Sequence, residues 1–451
     1  MSPPQFDDQL VYLLSNLRHI QQHVPSVAEP KGHQKKHLNL LDGIALLLVT
    51  GDKGDVAAVS FVHTSTSIEF FYAKNRPCTP QETAYIQKLL EMTRSFKTSE
   101  SGMWVGRVLK LVIQTCVKKV RGRMRKITNE LKKIGFSSSL RLEDLNNLHI
   151  WRETNCKGEI VEAYRRTFPS QKPEEGVSDR DILFRYFRGL FEVSGPEGRI
   201  EGAKAAVFLS RYIGIALRTD PIIDNAAIVR RIQKLGDYAG AVQTLVKMLL
   251  DPAIYGFRHA IKFTEVKPAG QSIHLMPKNF LKVLNDYAIR RGKPQVQWKD
   301  LCHSFPSLNS RVEPGDGDMK VTTSTHCECT IATYLLNSTA GRPTAFEIGV
   351  SKRCCWLCKK YLSVLVEPDD SSILAPSSSF IVSGYQGKIH SGWHPPHWPP
   401  RAFSRMVGLV EGEIEEILGS LTRTNRSDSF PRSPISEDSD IEVGGIENSW
   451  F

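Results

Sequence analysis

The sequence predicts an α+β protein: an α-rich N-terminal domain with a small β element, followed by an α/β layered domain with a central mixed sheet. Two observations support this prediction. Between about residues 80 and 250, apolar residues recur at three- and four-residue spacing, which is typical of packed amphipathic helices. After residue 318, strand-like and helix-like segments alternate in the order β-α-β-α-β, which indicates a sheet covered by helices.

The N-terminal domain is predicted over residues 1–265, with a β-hairpin near residues 43–75. Two apolar runs, GIALLLVT and VAAVSFVH, flank the sequence GDKGD, whose composition is typical of a hairpin turn. The following SIEFFYAKN could add a third strand. Helices are then predicted from the segments TPQETAYIQKLLEMTRSF, DILFRYFRGLFEV, AKAAVFLSRYIGIAL and YAGAVQTLVKMLL.

The second domain is predicted over residues 266–421. Its strands are predicted from MKVTTS, FEIGVS and FIVSG, with KIHSGW as a further candidate. Its helices are predicted to start near Thr325, near Cys355 and, after the sheet, near Ala402. Residues 422–451 are polar, Ser-rich and locally acidic, so we predict a disordered tail.

The 451-residue chain carries a formal net charge of +11, which favours an acidic partner such as nucleic acid. The N-terminus has acidic residues where a secretory leader would be basic. No apolar run approaches the roughly 18 residues of a membrane span. We therefore expect an intracellular protein, cytoplasmic or nuclear, that is not secreted and has no membrane partner. Its nine cysteines should then be reduced.

Five of these cysteines lie in one short region, which indicates a metal or redox site rather than a disulfide framework. In that region His326 and Glu328 form H-x-E, and Cys355 and Cys358 form C-x-x-C, each at the start of a predicted helix. Cysteines three apart at a helix start project the same way, and the helix dipole favours the thiolate that a metal needs. With the imidazole, three protein ligands would leave a fourth position for water, which is typical of catalytic zinc. Glu328 would then move protons rather than bind the ion.

H-x-E followed by C-x-x-C, on two helices separated by a strand, resembles the zinc-dependent cytidine-deaminase-like superfamily. Three flanking segments narrow the resemblance to one branch of the superfamily: HCECTIATYL, IGVSKRCCWLCKKYL and GYQGKIHSGWHPP. They look like a deaminase branch known mainly from filamentous fungi and some intracellular bacteria, which is predicted to act on nucleic acids or nucleotides. The resemblance covers roughly residues 320–400, and residues 40–75 are similar to the fungal members to a lesser degree.

The resemblance implies a deaminase-like α/β/α domain that binds Zn²⁺ through His326, Cys355 and Cys358 and uses Glu328 as the proton shuttle. The implied reaction is hydrolytic deamination of a base by zinc hydroxide, in nucleic acid or nucleotide. Cytosine is the favoured base and adenine the runner-up. The chain departs from the superfamily at Cys354, where proline usually precedes the first cysteine ligand. Cys354 could coordinate in place of Cys355, although the C-x-x-C spacing favours Cys355.

Other interpretations of these residues stay open from sequence. Thr325-His-Cys-Glu328 fits an S/T-x-x-E capping box, in which the glutamate would only cap the helix. Cys327 and Cys329 could join the C-x-x-C pair in a closed structural zinc site, or that pair could act as a redox dithiol. A closed zinc site would make the domain a non-catalytic zinc-stabilised module that binds nucleic acid or another partner.

Two further groups of residues are candidates for substrate contact. Aromatic side chains could form a wall on which a base stacks, or could be core residues and a rigid connector: Trp356, Trp393, His394 and Trp398. Basic side chains of the run KKVRGRMRK could contact a nucleic-acid backbone, or could form a solvated helix face: Lys118, Lys119, Arg121, Arg123, Arg125 and Lys126.

Overall fold

A computed structural model describes most of the chain in segments. These are residues 8–18, 32–51, 55–64, 66–133, 226–268, 271–304, 317–338, 345–366, 379–384, 388–396 and 399–424, together with residue 200 and most residues from 203 to 211.

Helices and strands alternate along the described segments. The helices are α1 (Asp8–Arg18), α2 (Gly32–Leu48), α3 (Pro80–Arg94), α4 (Ser101–Thr115), α5 (Val117–Lys133), α6 (Ala226–Leu250), α7 (Pro252–Tyr255), α8 (Phe280–Arg290), α9 (Trp298–Ser304), α10 (Cys327–Ser338), α11 (Trp356–Val366) and α12 (Pro400–Thr424). The strands are β1 (Ala57–His63), β2 (Ile68–Lys74), β3 (Ile261–Glu265), β4 (Ser272–Pro277), β5 (Asp318–Thr323), β6 (Ala345–Val350) and β7 (Ser379–Val382). Short 3-10 turns occur at Thr98–Glu100 and Arg258–Ala260.

Five strands form one mixed sheet in the order β3-β2-β1-β6-β7. β1 is antiparallel to both of its neighbours, whereas the pairs β2–β3 and β6–β7 are parallel. β4 and β5 form a separate antiparallel pair. The helix-rich chain with its mixed sheet confirms the α+β layered fold that the sequence predicts.

Different helices cover the two faces of the sheet. On one face α2 lies against β1 and β6, and α6 packs on α2 with α4 and α5 beside it. On the other face α10 packs on β1, β2 and β6, while α11 packs on β7 and against α12. Side chains alternate between the two cores as strand geometry requires: Val59 and Phe70 belong to the first, Ala58 and Phe71 to the second.

Residues 43–49 are predicted to be a strand, but residues 43–48 belong to helix α2, so this prediction is wrong. The helical spacing becomes visible only when the preceding residues are included, because buried Leu38, Leu41 and Leu48 share one face. The run is almost entirely apolar because the sheet covers α2 on one side and α6 covers it on another. The approach is close: a Cβ on Gly349 of β6 would overlap the backbone of Leu41.

The remaining strand predictions are confirmed with two changes of place. VAAVSFVH and SIEFFYAKN contain β1 and β2, which pair with each other. The hairpin predicted across GDKGD is therefore wrong, because its first run lies in helix α2. The three C-terminal segments form β5, β6 and β7. β5 nevertheless pairs with β4 outside the central sheet, where β1, β2 and β3 take the remaining positions. KIHSGW contributes an isolated bridge between Ser324 and Trp393. The boundary predicted between residues 265 and 266 falls at the end of β3, and the same sheet continues into β6 and β7.

Three predicted helices appear as α3, α6 and α12, and the basic run lies on α5. Helical residues also occur between positions 203 and 211, within the predicted segment AKAAVFLSRYIGIAL. The helix predicted from DILFRYFRGLFEV and nearly all of the tail predicted over 422–451 lie outside the described residues. Among the helices that are described, none is both long and apolar enough to cross a membrane.

Candidate metal centre and active site

The histidine and the first cysteine of the two motifs each occupy a helix N-cap. α10 begins one residue after His326, whose carbonyl oxygen accepts the backbone N–H of Thr330 at 3.0 Å. α11 begins one residue after Cys355, whose carbonyl oxygen accepts the backbone N–H of Lys359 at 3.0 Å. Because the two helices pack against each other, both side chains lie at the positive ends of neighbouring helix dipoles.

Three donor atoms lie close enough together to hold one shared ion. His326 Nδ1 is 3.3 Å from Cys358 Sγ and 3.6 Å from Cys355 Sγ, and the two sulfurs are 3.3 Å apart. A tetrahedral Zn²⁺ with ordinary Zn–N and Zn–S bond lengths would place such donors about 3.5–3.8 Å apart. One imidazole and two thiolates are also a common zinc donor set. The group therefore fits zinc, and its members are the three residues predicted as ligands from the sequence.

Cys354 belongs to a different group of donors, with Cys358 and Glu328. Its thiol is buried and lies 3.5 Å from the carbonyl oxygen of Cys355. A site built on Cys354 would lack the imidazole and would use up the carboxylate. Cys355 instead contacts both His326 and Cys358, and its Sγ accepts the backbone N–H of Cys358 at 3.3 Å. The geometry favours Cys355 as the ligand.

Glu328 lies in the first turn of α10, beside the donor group. The residue is only 3% exposed, and its Oε2 is 3.9 Å from Cys358 Sγ and accepts the thiol of Cys327 at 3.4 Å. No described lysine or arginine forms an ion pair with it. A buried carboxylate without a cationic partner is costly, so its position calls for a chemical explanation.

The capping box does not provide that explanation. Because α10 begins at Cys327, the N-cap is His326 rather than Thr325, and Glu328 is one residue out of register for the motif. α3 shows the real motif: the Thr79 hydroxyl accepts the N–H of Glu82 at 3.3 Å, and the Glu82 carboxylate accepts the N–H of Thr79 at 2.8 Å.

The ionisable groups of the centre influence one another. Burial opposes ionisation of Cys355, but hydrogen bonding with Cys358 and the adjacent imidazole hold the Cys355 pKa well below its ordinary value. Burial would lower the pKa of His326, but the negative charge of Cys355 raises it overall. Burial raises the pKa of Cys358 and of Glu328. The metal-free chain thus favours one thiolate paired with the imidazole, and a carboxylate that protonates easily.

Cys327 and Cys329 are fully buried and belong to neither group of described residues that could hold a metal. Cys327 donates its thiol to Glu328, and burial raises the pKa of both cysteines. A closed site of four cysteines is therefore not the arrangement seen. The thiol of Cys327 orients the carboxylate, and the thiol of Cys329 contacts Cys358 without belonging to the donor group itself.

One contact at the site could not be found by inspecting the motifs. Asn75, directly after β2, accepts the backbone N–H of Cys327 through its Oδ1 at 3.3 Å. Its own N–H donates to the carbonyl oxygen of Val56 at 3.3 Å. A side chain 252 positions earlier in the chain therefore satisfies one free N–H in the first turn of α10. The only sequence feature that could have indicated this contact is a polar residue directly after a strand, and that feature is too common to be specific.

The aromatic residues predicted as a substrate wall separate into different environments. Trp356 and Trp393 are 2% and 0% exposed and lie in the core beneath the site, so neither offers a ring face to a base. We correct that prediction to packing residues for these two. His394 is half-buried, with its ring 6.5 Å from that of Phe403 on α12. Trp398 lies outside the described residues. The exposed neighbour of the site is His390, whose ring centroid is 5.4 Å from that of His326.

The basic run on α5 is partly packed rather than uniformly solvated. Its apolar side is buried in the core, and the exposed basic residues are Lys118, Arg125 and Lys126. Arg123 is half-buried, donates to the carbonyl oxygen of Lys234 on α6, and lies 4.9 Å from the ring centre of Tyr238. Lys119 and Arg121 are also half-buried. The six residues predicted to contact nucleic acid thus include some that also hold α5 against α6.

Fold and site together describe an α+β layered protein in which two helix N-termini could hold one metal ion beside a buried carboxylate. Residues 325–397 match a family model described as OTT_1508-like deaminase, and the match includes both motifs. It covers a minor part of the chain and supports a deaminase-like domain at these residues. No curated protein and no solved structure matches the chain.

Proposed function

We propose that residues 325–397 carry the active site of a zinc-dependent hydrolytic deaminase that acts on a base in nucleic acid or nucleotide. Cytosine is the favoured base and adenine the runner-up. The match to a deaminase family model supports the proposal, as does the donor set His326, Cys355 and Cys358. The observation that carries it is Glu328, a buried carboxylate beside these donors with no ion-pair partner among the described residues.

Zinc bound by these three residues would lower the pKa of a water in its open position and so supply the nucleophile near neutral pH. Glu328 is the chain's own acid-base group. It would accept a proton from the water and donate it to the ring nitrogen of the base. A second proton transfer would release the exocyclic amine as ammonia and leave a carbonyl oxygen on the base. Burial, which raises the pKa of Glu328, suits a group that takes up and returns a proton.

The alternative is a non-catalytic, zinc-stabilised module that binds nucleic acid or another partner. The burial of both cysteine thiols, with Trp356 packed beside them, favours it, because a structural ion needs no access for substrate. That alternative does not explain why Glu328 is buried, because an unpaired buried carboxylate destabilises the fold. The deaminase proposal explains the carboxylate and the donors together.

The test compares wild type with Glu328→Gln, which keeps the side-chain shape and removes proton transfer. Zinc content and zinc X-ray absorption should show about one ion with two sulfurs, one imidazole and one light ligand in both proteins. Mass spectrometry would follow cytosine and adenine as nucleosides, nucleotides and single-stranded oligonucleotides. We expect conversion by wild type and a loss of at least about 100-fold in Glu328→Gln.

Glu91→Gln on the exposed side of α3 is the matched control and should keep full activity. Undiminished conversion by Glu328→Gln would contradict the assigned role. Full zinc occupancy with no conversion of any substrate, together with unfolding of the domain by Cys358→Ser, would favour the structural module.

A further inference from the structure

We propose that Lys119, Lys234 and Lys352, with Arg123 and Arg353, form a phosphate-binding subsite beside the candidate metal centre. These five residues are called the basic cluster. The inference rests on the proposed deaminase function and narrows its substrate class. The cluster would make substrates that carry phosphate groups bind better than nucleosides.

Two helices bring the first members of the cluster together. Arg123 of α5 donates to the carbonyl oxygen of Lys234 on α6, while its guanidinium lies over the ring of Tyr238. Lys119 precedes Arg123 by four residues and therefore shares its side of α5. One turn before Lys119, the thiol of Cys116 contacts the carbonyl oxygen of Val49 at 3.4 Å, which fixes this end of α5 against the end of α2.

The segment that leads to the second zinc helix supplies the other members. Lys352 and Arg353 follow β6 and precede Cys355 by three and two residues. Ser351 holds the start of this segment at the beginning of β1. Its N–H donates to the carbonyl oxygen of Ala57 at 2.9 Å, and its Oγ accepts the N–H of Ala57 at 2.9 Å.

The segment between α2 and β1 connects the two halves of the cluster by hydrogen bonds. At one end of this segment Val49 accepts the thiol of Cys116 beside α5, and Gly51 donates its N–H to Asp55 Oδ2 at 2.7 Å. At the other end Ala57 exchanges two hydrogen bonds with Ser351, which directly precedes Lys352.

Partial burial lowers the pKa of Lys119 to about 8 and also lowers that of Lys352, and the charge of Asp55 opposes both shifts. The charge of Arg123 contributes to lowering the pKa of both lysines, and Arg353 contributes to lowering that of Lys234. These electrostatic effects agree with the hydrogen bonds that connect α5, α6 and the loop after β6.

Two described carboxylates, Asp55 and Asp237, act on the lysines of the cluster, so its five cations stay in excess. Asp55 Oδ2 is already bound by the Lys74 ammonium at 2.9 Å and by the backbone N–H of Gly51 at 2.7 Å. Within the described part of the chain, the side-chain ammonium groups of Lys119, Lys234 and Lys352 form no hydrogen bond and no ion pair. Crowded like charges repel one another, so a bound anion would stabilise the arrangement.

The position of the basic cluster beside the candidate metal centre indicates that the bound anion is a phosphate group of the substrate. Lys352 precedes the candidate ligand Cys355 by three residues, and the exposed His390 lies on the same side of the centre, with its ring centroid 5.4 Å from that of His326. A base bound at the metal centre would carry its sugar-phosphate into this positive region. Lysine and arginine together are well suited to phosphate oxygens. Exposed Lys118 and Arg125 continue the positive surface along α5, which favours a strand with several phosphates over one phosphate.

The binding test uses the full-length Glu328→Gln protein, so that turnover does not interfere. Fluorescence anisotropy would measure its affinity for a labelled single-stranded oligonucleotide over a range of salt. Adding the three substitutions Lys119→Gln, Lys234→Gln and Lys352→Gln should weaken binding about tenfold or more at low salt. The slope of log Kd against log salt should fall by about 2, because each phosphate contact to a single strand contributes about 0.7.

The charge-matched control carries Lys88→Gln, Lys282→Gln and Lys320→Gln, three exposed lysines on other elements. It should change affinity less than about threefold. Equal losses in the two triple variants, or no loss in the cluster variant, would overturn the proposal. Because Lys119 is half-buried, melting curves accompany each measurement. Lys352→Gln alone, at an exposed position, tests the same inference if the triple variant melts early.

Turnover separates this inference from the proposed function. With Glu328 restored, the cluster substitutions should lower the ratio of kcat/KM for a phosphorylated substrate to that for its nucleoside. Mononucleotide and oligonucleotide arms distinguish a single terminal phosphate from a strand. An unchanged ratio in an active enzyme would refute the subsite and leave the deaminase intact. Loss of oligonucleotide binding in the cluster variant of a protein that converts no base would support the subsite and refute the deaminase.

Discussion

Replacing Lys74 by methionine should destabilise the protein and loosen the first turn of α10. Lys74 ends β2, its side chain is fully buried, and its ammonium lies 2.9 Å from Asp55 Oδ2 and 2.5 Å from Glu82 Oε1. Both carboxylates are also almost completely buried. The next residue is Asn75, which accepts the N–H of Cys327 at the candidate metal centre.

The expected loss of stability depends on the hydrogen-bond partners that Asp55 and Glu82 retain in Lys74→Met. Removing one partner of a buried ion pair costs about 3–5 kcal/mol, because the other charge stays buried without compensation. Glu82 keeps two hydrogen bonds from the Arg76 guanidinium, at 2.7 and 2.8 Å. Asp55 keeps only the N–H of Gly51 among the described groups, and its Oδ1 has no partner. We therefore expect a loss near the lower end, about 3 kcal/mol.

Urea unfolding followed by tryptophan fluorescence measures this loss, and zinc titration of the folded variant measures the effect on the centre. The comparison variant adds Asp55→Asn and Glu82→Gln, which remove the stranded charges while glutamine preserves the capping box of α3. It should recover at least half of the lost stability. A loss below about 1 kcal/mol in Lys74→Met, or a comparison variant equally unstable, would refute the reasoning.

Two further predictions concern the ligand choice and the pH dependence of stability. Cys355→Ser should lose most of its zinc whereas Cys354→Ser should keep about one ion per chain, because only the Cys355 thiol contacts both other donors; elemental analysis checks this. Burial raises the pKa of Asp42 to about 7, although its Oδ1 accepts bonds from Val350 N and Ser383 Oγ. Because this pKa is higher in the folded than in the unfolded chain, the stability that Asp42 contributes is complete below about pH 4 and is lost as pH rises to about 7. Across this range the free energy of unfolding should therefore fall more steeply with rising pH for wild type than for Asp42→Asn, by at most about 4 kcal/mol. Melting curves at several pH values measure this fall, and an equal pH dependence in the two proteins would contradict the assignment.

The parts of the site that the sequence predicts lie in two short windows. Spacing alone placed His326 and Glu328 at one helix start and Cys355 and Cys358 at the next, because cap positions and helical phase are local properties. The helix at residues 43–48 was predicted as a strand because a segment buried on two sides loses the polar stripe that identifies a helix. The burial of Trp393 could not be predicted either, because a Trp among prolines has the same local sequence pattern on a surface and in a core.

Contacts between distant segments were beyond such reasoning. The hydrogen bond from Cys327 to Asn75 spans 252 positions, and β1 pairs with β6 across a similar distance along the chain. Neither contact has a local sequence signal, because many polar residues follow strands and many apolar runs could fill one sheet position. The sequence therefore predicted the chemistry of the candidate centre better than the elements that support it.

The sheet topology explains why the helical part of the chain and the candidate centre can share one function. β2 and β3 are adjacent and parallel, so the chain between them must cross back over the sheet. The described helices α3 to α7 lie within this crossover, and α5 and α6 carry three members of the basic cluster. β2 is also directly followed by Asn75, which supports the first turn of α10. β2 borders both the crossover and the candidate metal centre. The sheet, rather than a flexible linker, therefore sets the position of the basic cluster relative to the metal donors.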